Sequence, residues 1–323
     1  INNYNNLRKS LNNEKSDSNY FRAHCEGSKP GKNDVGEIKI NQDNFICLER
    51  VCGIPGLNIF GVLDGHGNDG HLASNFAKEY ISQEFMKYVE NLKTNGIATA
   101  EEIYQQLRNE NFNTIVQIYR NTDQEMINKK QFDYESSGTT CNIVFQFAQH
   151  LLCANVGDSR AILVYDNNRD LSTSNVFHLS YDHKPDLPEE SQRICSMGGS
   201  LRRIRDEIGF ELPGPIRVWH GNDDYPGLAM SRSLGDINGK NCGVISVPTI
   251  IEYTLNETSK YMVICSDGVW EFISDEQIKQ LGNPFFLKGD INGHFKNIIM
   301  NSVRMWESHD SIIDDITAII VYF

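Results

Sequence analysis

Hydrophobic and polar positions divide the chain into short apolar runs and longer stretches with helical periodicity. Seven apolar runs, each bounded by polar residues or glycine, predict β-strands. They cover residues 44–49, 58–64, 139–148, 150–157, 160–166, 261–267 and 315–323. The three central runs follow one another through short connections, which indicates an antiparallel meander.

Two stretches carry apolar residues at a spacing close to the 3.6 residues of a helical turn. One includes Leu72, Phe76, Phe85, Tyr88 and Leu92, and the other runs from Ile103 through Leu107 and Ile115 to Ile118. Shorter helices are predicted at 189–195, 275–281 and 294–306. Because strands and helices come in blocks and do not alternate strictly, the pattern predicts an α+β layered domain.

Composition along the chain predicts the domain limits. Residues 1–20 are polar and rich in Asn, which is typical of a loosely held arm. No linker-like stretch or internal repeat divides the remainder. We therefore expect one domain over residues 21–323.

Charge and hydropathy exclude two classes of partner. The chain has 43 acidic and 30 basic residues and a formal net charge of −13, whereas nucleic-acid binding requires a basic surface. No apolar run approaches the roughly 18 residues of a membrane span, and no secretory signal pattern is present. The eight cysteines are scattered without a CxxC pair, which indicates reduced thiols in a cytoplasmic or nuclear protein and not a disulfide framework or zinc motif.

The segment "LDGHGNDG" raises a first functional hypothesis. Gly65, Gly67 and Gly70 have the GxGxxG spacing of a dinucleotide-binding turn, between a predicted strand and a predicted helix. That turn requires a prompt return to a parallel strand, but here a second helix follows. Asp64 would also repel a pyrophosphate. A nicotinamide-dependent oxidoreductase is therefore a weak alternative.

Aspartates at strand ends give a second hypothesis. Five of them stand beside predicted strands: Asp43, Asp64, Asp158, Asp267 and Asp314. Each alone is explained as a turn residue or helix cap. If the strands lie side by side, the acids converge, and oxygen ligands of this kind favour Mg²⁺ or Mn²⁺ over zinc.

The motifs together resemble one family. "NQDNF", "VLDGHG", "SSGTT", "ANVGDSRAIL", "LSYDHKP", "GLAMSRSLGD", "VICSDGVWEF" and "DDITAIIVYF" occur in the order found in the metal-dependent Ser/Thr protein phosphatases of type 2C. The resemblance spans about residues 20–323. It implies a four-layer α-β-β-α sandwich of two antiparallel sheets flanked by helices, with a binuclear metal site at one sheet edge.

The resemblance also implies roles for individual residues. Asp64 would bridge two Mg²⁺ or Mn²⁺ ions, and the carbonyl of Gly65 would be a further ligand. Asp267 and Asp314 would hold one ion, and Asp43 would support the other. Asp158 matches a position that helps to hold a weaker third ion.

The implied activity is hydrolysis of phosphoserine and phosphothreonine on proteins. Two cations about 3.5–4 Å apart can clamp phosphoryl oxygens and activate a water for attack. His66 would act as general acid for the leaving alkoxide. The alternative is a catalytically inactive relative that serves as a binding or scaffold module. We expect a monomer whose partners are phosphorylated proteins.

Three positions depart from the family pattern. Gln42 stands where many members have Glu, and Glu271 stands where the family often has a further Asp. The upstream Arg that holds the substrate phosphate is missing, and Lys39 is the nearest cation. Lys cannot reproduce the two-pronged contact of Arg, so Lys39 is a weaker candidate for binding phosphate.

The other motifs are interpreted as structural. "SSGTT" supplies small residues near the cleft, Arg160 pairs with a carboxylate, and His183 supports a loop. Arg232 and Asp236 are expected to bind each other or nearby backbone. Residues 198–227 correspond to the flap whose variability is linked to substrate choice in the family.

Overall fold

Two antiparallel sheets packed face to face form the centre of the computed structural model, which describes residues 8–11, 20–129 and 133–323. In spatial order, the six-stranded sheet contains β1 (Arg8–Leu11), β2 (Ala23–Lys29), β16 (Ile316–Tyr322), β15 (Ser259–Cys265), β8 (Arg160–Tyr165) and β9 (Asn175–His178).

The second sheet has seven strands, and β3 (Asp43–Leu48) pairs with β4 beside the main path. The path itself is β13 (Leu234–Gly235), β5 (Gly138–Thr139), β4 (Leu57–His66), β6 (Cys141–Phe147), β7 (His150–Val156) and β14 (Thr249–Thr254). A separate three-stranded sheet contains β10 (Gly199–Arg202), β11 (Arg217–His220) and β12 (Pro226–Leu228).

Helices cover the outer faces of both large sheets. The seven-stranded sheet packs against α1 (Gly70–Thr94), α2 (Ala100–Asn109) and α3 (Asn113–Lys129). The six-stranded sheet packs against α6 (Asp267–Trp270), α7 (Asp275–Leu287) and α8 (Ile291–His309). Near the small sheet lie α4 (Pro188–Ser196) and α5 (Ile237–Lys240). None of the helices in the described part of the chain is long and apolar enough to cross a membrane.

Three apolar layers hold these elements together. Side chains such as Phe60, Val144 and Ile264 fill the space between the sheets, while separate clusters lie under α1–α3 and under α6–α8. Alternate residues of each strand therefore face either the opposite sheet or a helix layer. This order of layers confirms the predicted α-β-β-α sandwich.

Two local predictions were wrong. The central meander breaks after β7: β6 and β7 pair, but β8 joins the other sheet beside β15. Gly157, with a φ of 98°, turns the chain across the sandwich at that point. The helical pattern over 103–118 is two helices, because Asn111 and Phe112 take left-handed φ values of 50° and 56° that end α2 and redirect the chain.

Most of the predicted N-terminal arm lies outside the described residues. Within residues 1–20, Arg8–Leu11 forms an edge strand on β2. The limits of the arm and of the single domain stay predictions.

Phe145 tests the packing of α1 on the seven-stranded sheet. The ring is fully buried and lies 4.7 Å from the ring of Phe85. We expect Phe145→Ala to lower the free energy of unfolding by about 3–5 kcal/mol, because the cavity cannot close completely. Urea denaturation measures this change, with Phe210→Ala as a control at a 69% exposed position. An equal loss in both variants would contradict the packing described.

Candidate active site

The five predicted acids converge at one edge of the sandwich, and both sheets contribute to it. Asp43 and Asp64 are register partners on β3 and β4. From the other sheet, Asp267 follows β15 at the start of α6, and Asp314 lies two residues before β16. Asp158 lies in the turn between β7 and β8. The strand order therefore produces the convergence that the sequence predicts.

Burial and the neighbouring carboxylates raise the pKa values of Asp43, Asp64 and Asp267. Burial, the charges of Asp267, Asp43 and Asp314, and a hydrogen bond with Asp267 raise the pKa of Asp64 well above its usual value. Burial and the charges of Asp158 and Asp314 raise the pKa of Asp267 to about 7. The site thus favours protons or other cations, because closely spaced negative charges cannot all persist in a low-dielectric environment.

Buried oxygen atoms without partners show where a cation fits. Among the described residues, Oδ1 of Asp43, Oδ1 of Asp158 and Oδ1 of Asp267 are buried and accept no hydrogen bond. The second oxygen of Asp43 accepts a bond of 2.8 Å from Ser266. Since an unpaired buried carboxylate oxygen is costly, these hard oxygen atoms fit Mg²⁺ or Mn²⁺.

Glycines let the loop after β4 pack closely against α1. A Cβ atom on Gly65 would lie 2.2 Å from the carbonyl oxygen of Gly70 and 2.6 Å from that of Gln42. Gly67 has a φ of 82°, which other residues rarely adopt. After α1 the chain continues into α2 and α3 and not into a strand. The pairs that β4 forms with β3, β5 and β6 are all antiparallel. The GxGxxG spacing is therefore not part of a dinucleotide-binding unit.

The "SSGTT" segment holds the backbone of Asp64. The hydroxyl of Thr140 accepts a 2.9 Å hydrogen bond from the Asp64 amide, and the hydroxyl of Thr139 donates to the Asp64 carbonyl at 3.1 Å. Both threonines are buried. The small polar residues predicted near the cleft thus fix the position of the central acid.

His66 is bound by an aspartate that lies 170 residues later in the chain. Its Nε2 atom lies 2.7 Å from Oδ2 of Asp236, and its Nδ1 atom is buried without a partner. Burial alone would lower the pKa of His66, but the charge and hydrogen bond of Asp236 outweigh burial and raise the pKa above 6.5. Asp236 therefore favours the protonated imidazole and orients it.

Arg232 and Asp236 do not bind each other, so of the two predicted alternatives the contact with backbone is the one found. Arg232 donates to the carbonyl of Val247 at 2.9 Å and also binds Glu190, with Nη2 2.6 Å from Oε1. A Cβ atom on Gly138 would lie 2.2 Å from Oδ2 of Asp236. The absence of a side chain at Gly138 is therefore what lets Asp236 reach His66, a connection that the sequence pattern does not reveal.

Lysines partly neutralise the acidic edge. Lys39 Nζ lies 3.0 Å from Oδ1 of Asp314, so the candidate phosphate ligand lies within the acid cluster. Lys184, which sequence reasoning missed, donates a short hydrogen bond to Asp158. Lys184 stands two residues after Asp182 in the loop motif "SYDHKP". A loop has no helical or strand periodicity that could predict the contact with Asp158. Both lysines reduce the electrostatic cost of the cluster.

The two adjacent acids before β16 have different roles. Asp315 is buried and accepts hydrogen bonds from the amides of Gly31 and Gln42, at 2.7 and 2.8 Å. Asp314 is half-exposed, and its charge acts on Asp64 and Asp267. This arrangement leaves Asp314 as the carboxylate available to a cation, as the resemblance implies.

Two of the positions that depart from the family pattern, Gln42 and Glu271, lie outside the cluster of unpaired oxygens. The side-chain amide of Gln42 donates to the carbonyl of Gly67 at 2.8 Å and so braces the glycine loop. Glu271 is exposed at the end of α6. Neither side chain adds charge to the buried part of the site.

The remaining motif residues make structural contacts. Arg160 binds Asp182 and Asp275, each with a closest contact under 3 Å. His183 accepts a 3.1 Å hydrogen bond from the amide of Gly157, and burial and the nearby Arg232 lower the pKa of His183 to about 3. A neutral, buried histidine of this kind supports the turn that carries Asp158.

The predicted flap contains the three-stranded sheet. Residues 203–216 join β10 to β11 and expose several apolar side chains. Ile208 is 80% exposed and Phe210 is 69% exposed. Exposed apolar side chains of this size are suited to contact another molecule.

An edge shared by two packed antiparallel sheets, with clustered acids and one oriented histidine, defines a divalent-cation-dependent hydrolase. The family model described as protein phosphatase 2C matches residues 55–287. Probable protein phosphatase 2C 35 of Arabidopsis thaliana is 30% identical over 299 residues, which cover 88% of this chain and 78% of the plant protein. The chain therefore belongs to the protein phosphatase 2C family.

Another relative and a solved structure support the same family and fold. Probable protein phosphatase 2C 65 of Arabidopsis thaliana is 28% identical over 89% of this chain and 74% of its own length. A solved serine-threonine phosphatase 2C from Toxoplasma gondii superposes with a TM-score of 0.79 at 20% identity, over 98% of this chain and 99% of that one. The predicted family, fold and enzyme class, a protein phosphatase, are confirmed.

Asp236→Asn tests the control of His66. Without the carboxylate, burial should dominate, and we expect the pKa of His66 to fall by at least about one unit. NMR titration of the imidazole in metal-free protein measures the change. Asp123→Asn is the matched control, because Asp123 binds the amide of Gly235 on the same segment. A pKa that stays above 6.5 in Asp236→Asn would show that the carboxylate does not set it.

Proposed function

We propose that the chain hydrolyses phosphoserine and phosphothreonine on protein substrates with two Mg²⁺ or Mn²⁺ ions. Asp64 would bridge the ions, with Asp43, Asp267, Asp314 and the carbonyl of Gly65 completing the set. Asp158 would support a weaker third ion. The observation that carries this proposal is that Asp43, Asp158 and Asp267, at one edge of the sandwich, each have a buried Oδ1 atom with no partner among the described residues.

The chemistry of the substrate explains the need for such a site. Hydrolysis of a phosphate monoester is among the slowest uncatalysed reactions, and enzymes accelerate it by up to about 10²¹-fold. When bound, the divalent cations neutralise phosphoryl oxygens and provide an activated water. The carboxylates would hold these cations at fixed positions relative to a bound substrate.

His66 would protonate the leaving serine or threonine oxygen. Its Nε2 atom is bound by Asp236, so Nδ1 is the atom that carries the transferable proton. The raised pKa of His66, caused by Asp236 against the opposing effect of burial, favours the protonated form that this step requires. An alkoxide is a poor leaving group without a proton donor, so this step is needed for the natural substrate class.

Lys39 has a place in the same proposal. Lys39 binds Asp314 at the rim of the cleft. Its ammonium group would attract a substrate phosphate there. A point charge of this kind attracts phosphate without the geometric specificity of Arg.

The inactive-scaffold alternative receives no support from the site. Relatives that act only as scaffolds are expected to lose metal-binding acids, but all five acids and His66 are present. The flap, with Ile208 and Phe210 exposed, is a candidate contact for the protein part of the substrate. A monomeric state and a cytoplasmic or nuclear location remain part of the proposal.

The metal requirement is tested with a phosphopeptide panel. We expect phosphate release with Mn²⁺ or Mg²⁺, none with excess chelator, and recovery when metal is restored. Asp64→Asn should lose nearly all activity, because the bridging carboxylate is gone. Asp310→Asn, at an exposed helix end, is the matched control. Undiminished turnover in excess EDTA would contradict the metal-dependent mechanism.

The role of His66 is tested by varying the leaving group. His66→Gln should slow hydrolysis of a phosphoserine peptide by about 10²–10⁴-fold. An aryl phosphate needs little protonation, so its hydrolysis should change far less. Calorimetry should show unchanged Mn²⁺ binding in His66→Gln. Equal losses on both substrates would exclude proton donation by this residue.

A further inference from the structure

A second cluster of metal-type ligands lies away from the acidic edge. His24 and Glu26 are on β2 and Cys47 is on β3, and one ligand atom from each lies within 4.8 Å of the others. Across the described ranges, no other group of three His, Cys, Asp or Glu side chains meets that distance. His24 is 4% exposed and Glu26 is 1% exposed, and such groups are seldom buried without a charge partner.

The three ligand atoms lie close to one another. Nδ1 of His24 lies 2.8 Å from Oε2 of Glu26 and 3.3 Å from Sγ of Cys47, and the same sulfur lies 4.0 Å from Nε2. A tetrahedral zinc ion has bonds of about 2.0–2.3 Å, which place its ligand atoms roughly 3.3–3.6 Å apart. The sulfur lies beside the ring, so the side chains of Cys47 and Glu26 both have to adjust for one ion to contact all three atoms.

The far nitrogen of the imidazole is bound by a carboxylate, as is common for metal-bound histidines. Nε2 of His24 lies 2.9 Å from Oε1 of Glu49. A carboxylate on the far nitrogen fixes the proton there and turns the lone pair of the near nitrogen toward the metal. Phe21 and Phe60 pack against the ring at centroid distances of 5.5 and 5.7 Å and keep its orientation.

We propose that His24, Glu26 and Cys47 bind one zinc-type divalent cation, with Glu49 orienting the histidine. A set of one sulfur, one nitrogen and one oxygen atom suits zinc and does not suit Mg²⁺ or Mn²⁺. Binding would release two protons to solvent, one from Nδ1 of His24 and one from the thiol of Cys47. A solvent molecule would complete four-coordination.

Carboxylates on both sides of His24 favour a positive charge at this position. Burial lowers the pKa of His24, but hydrogen bonds with Cys47, Glu26 and Glu49 outweigh it and raise the pKa to about 12. Burial raises the pKa of the Cys47 thiol. The surroundings thus stabilise positive charge at this position.

The cluster has a route from the surface. A cavity of about 420 Å³ is lined by Glu26 and Cys47 and by residues of α1 that include Glu79 and Gln83. Glu79 and Gln83 are exposed. A hydrated ion can therefore reach Glu26 and Cys47 without opening the sandwich.

The cluster is separate from the catalytic acids. Cys47 follows Asp43 by four residues on β3, a distance of about 13 Å at 3.3 Å per residue. Because β2 belongs to the six-stranded sheet and β3 to the seven-stranded sheet, a bound cation would cross-link the two sheets at this edge. We therefore expect a stabilising site that is independent of the chemical step.

Cobalt is the spectroscopic probe for this site. Metal-stripped full chain is titrated with Co²⁺ in excess Mg²⁺, which occupies the oxygen ligands of the acidic edge. We expect one equivalent to produce a thiolate-to-cobalt charge-transfer band and the intense visible bands of tetrahedral cobalt, both removed by Zn²⁺. Cys47→Ser should lose the charge-transfer band. Cys195→Ser, at an exposed thiol on α4, should keep it.

A second measurement uses the unsubstituted protein, so it does not depend on the folding of Cys47→Ser. Zn²⁺ should slow alkylation of Cys47 at least about tenfold, read by mass spectrometry, and leave alkylation of Cys195 unchanged. It should also raise the unfolding temperature of the parent protein. No charge-transfer band in the parent, a band retained in Cys47→Ser, or equal alkylation of Cys47 with and without Zn²⁺ would each overturn the proposal.

Discussion

Repulsion among carboxylates at the shared edge of two sheets is the constraint on which the rest of this structure depends. Asp43 and Asp64 come from one sheet, and Asp267 and Asp314 come from the other, so packing the sandwich forces the charges together. Desolvation makes each charge more costly than it would be on a surface. Lys39 and Ser266 offset part of that cost, and the unpaired oxygens show that part remains. A fold selected for stability alone would not retain this arrangement.

Close backbone approach is the second requirement, since the acids can converge only if little else occupies the edge. Side chains are excluded at Gly65 and Gly138, where a Cβ atom would meet another atom at 2.2 Å. The space at Gly138 is taken by Asp236, which in turn sets the orientation and pKa of His66. His66 is therefore controlled by the same packing that positions the acids. Electrostatics and steric fit are not separable at this site.

Local pattern was sufficient for some elements and insufficient for others, for physical reasons. Strands buried on both faces, such as β4, β6 and β15, read as continuous apolar runs and were predicted. β2 was missed because "AHCEGSK" places His24, Glu26 and Ser28 on one face and so lacks an apolar run. The acids were predictable because each stands at the end of a strand. The contact of His66 with Asp236 spans 170 residues, and no local spacing encodes it.

The polar face of β2 also explains how one sandwich would keep two kinds of cation apart at separate places. Zinc generally binds a given set of oxygen ligands more tightly than Mg²⁺ or Mn²⁺ does, so an acidic cluster alone cannot exclude it. Alternation along β3 places Asp43 and Cys47 on the same inner face, at opposite ends of the strand. If His24, Glu26 and Cys47 bind zinc as proposed, their sulfur and nitrogen atoms would take up scarce zinc before the carboxylates do. The oxygen-only edge would then remain available to the abundant hard cations that phosphoryl transfer requires.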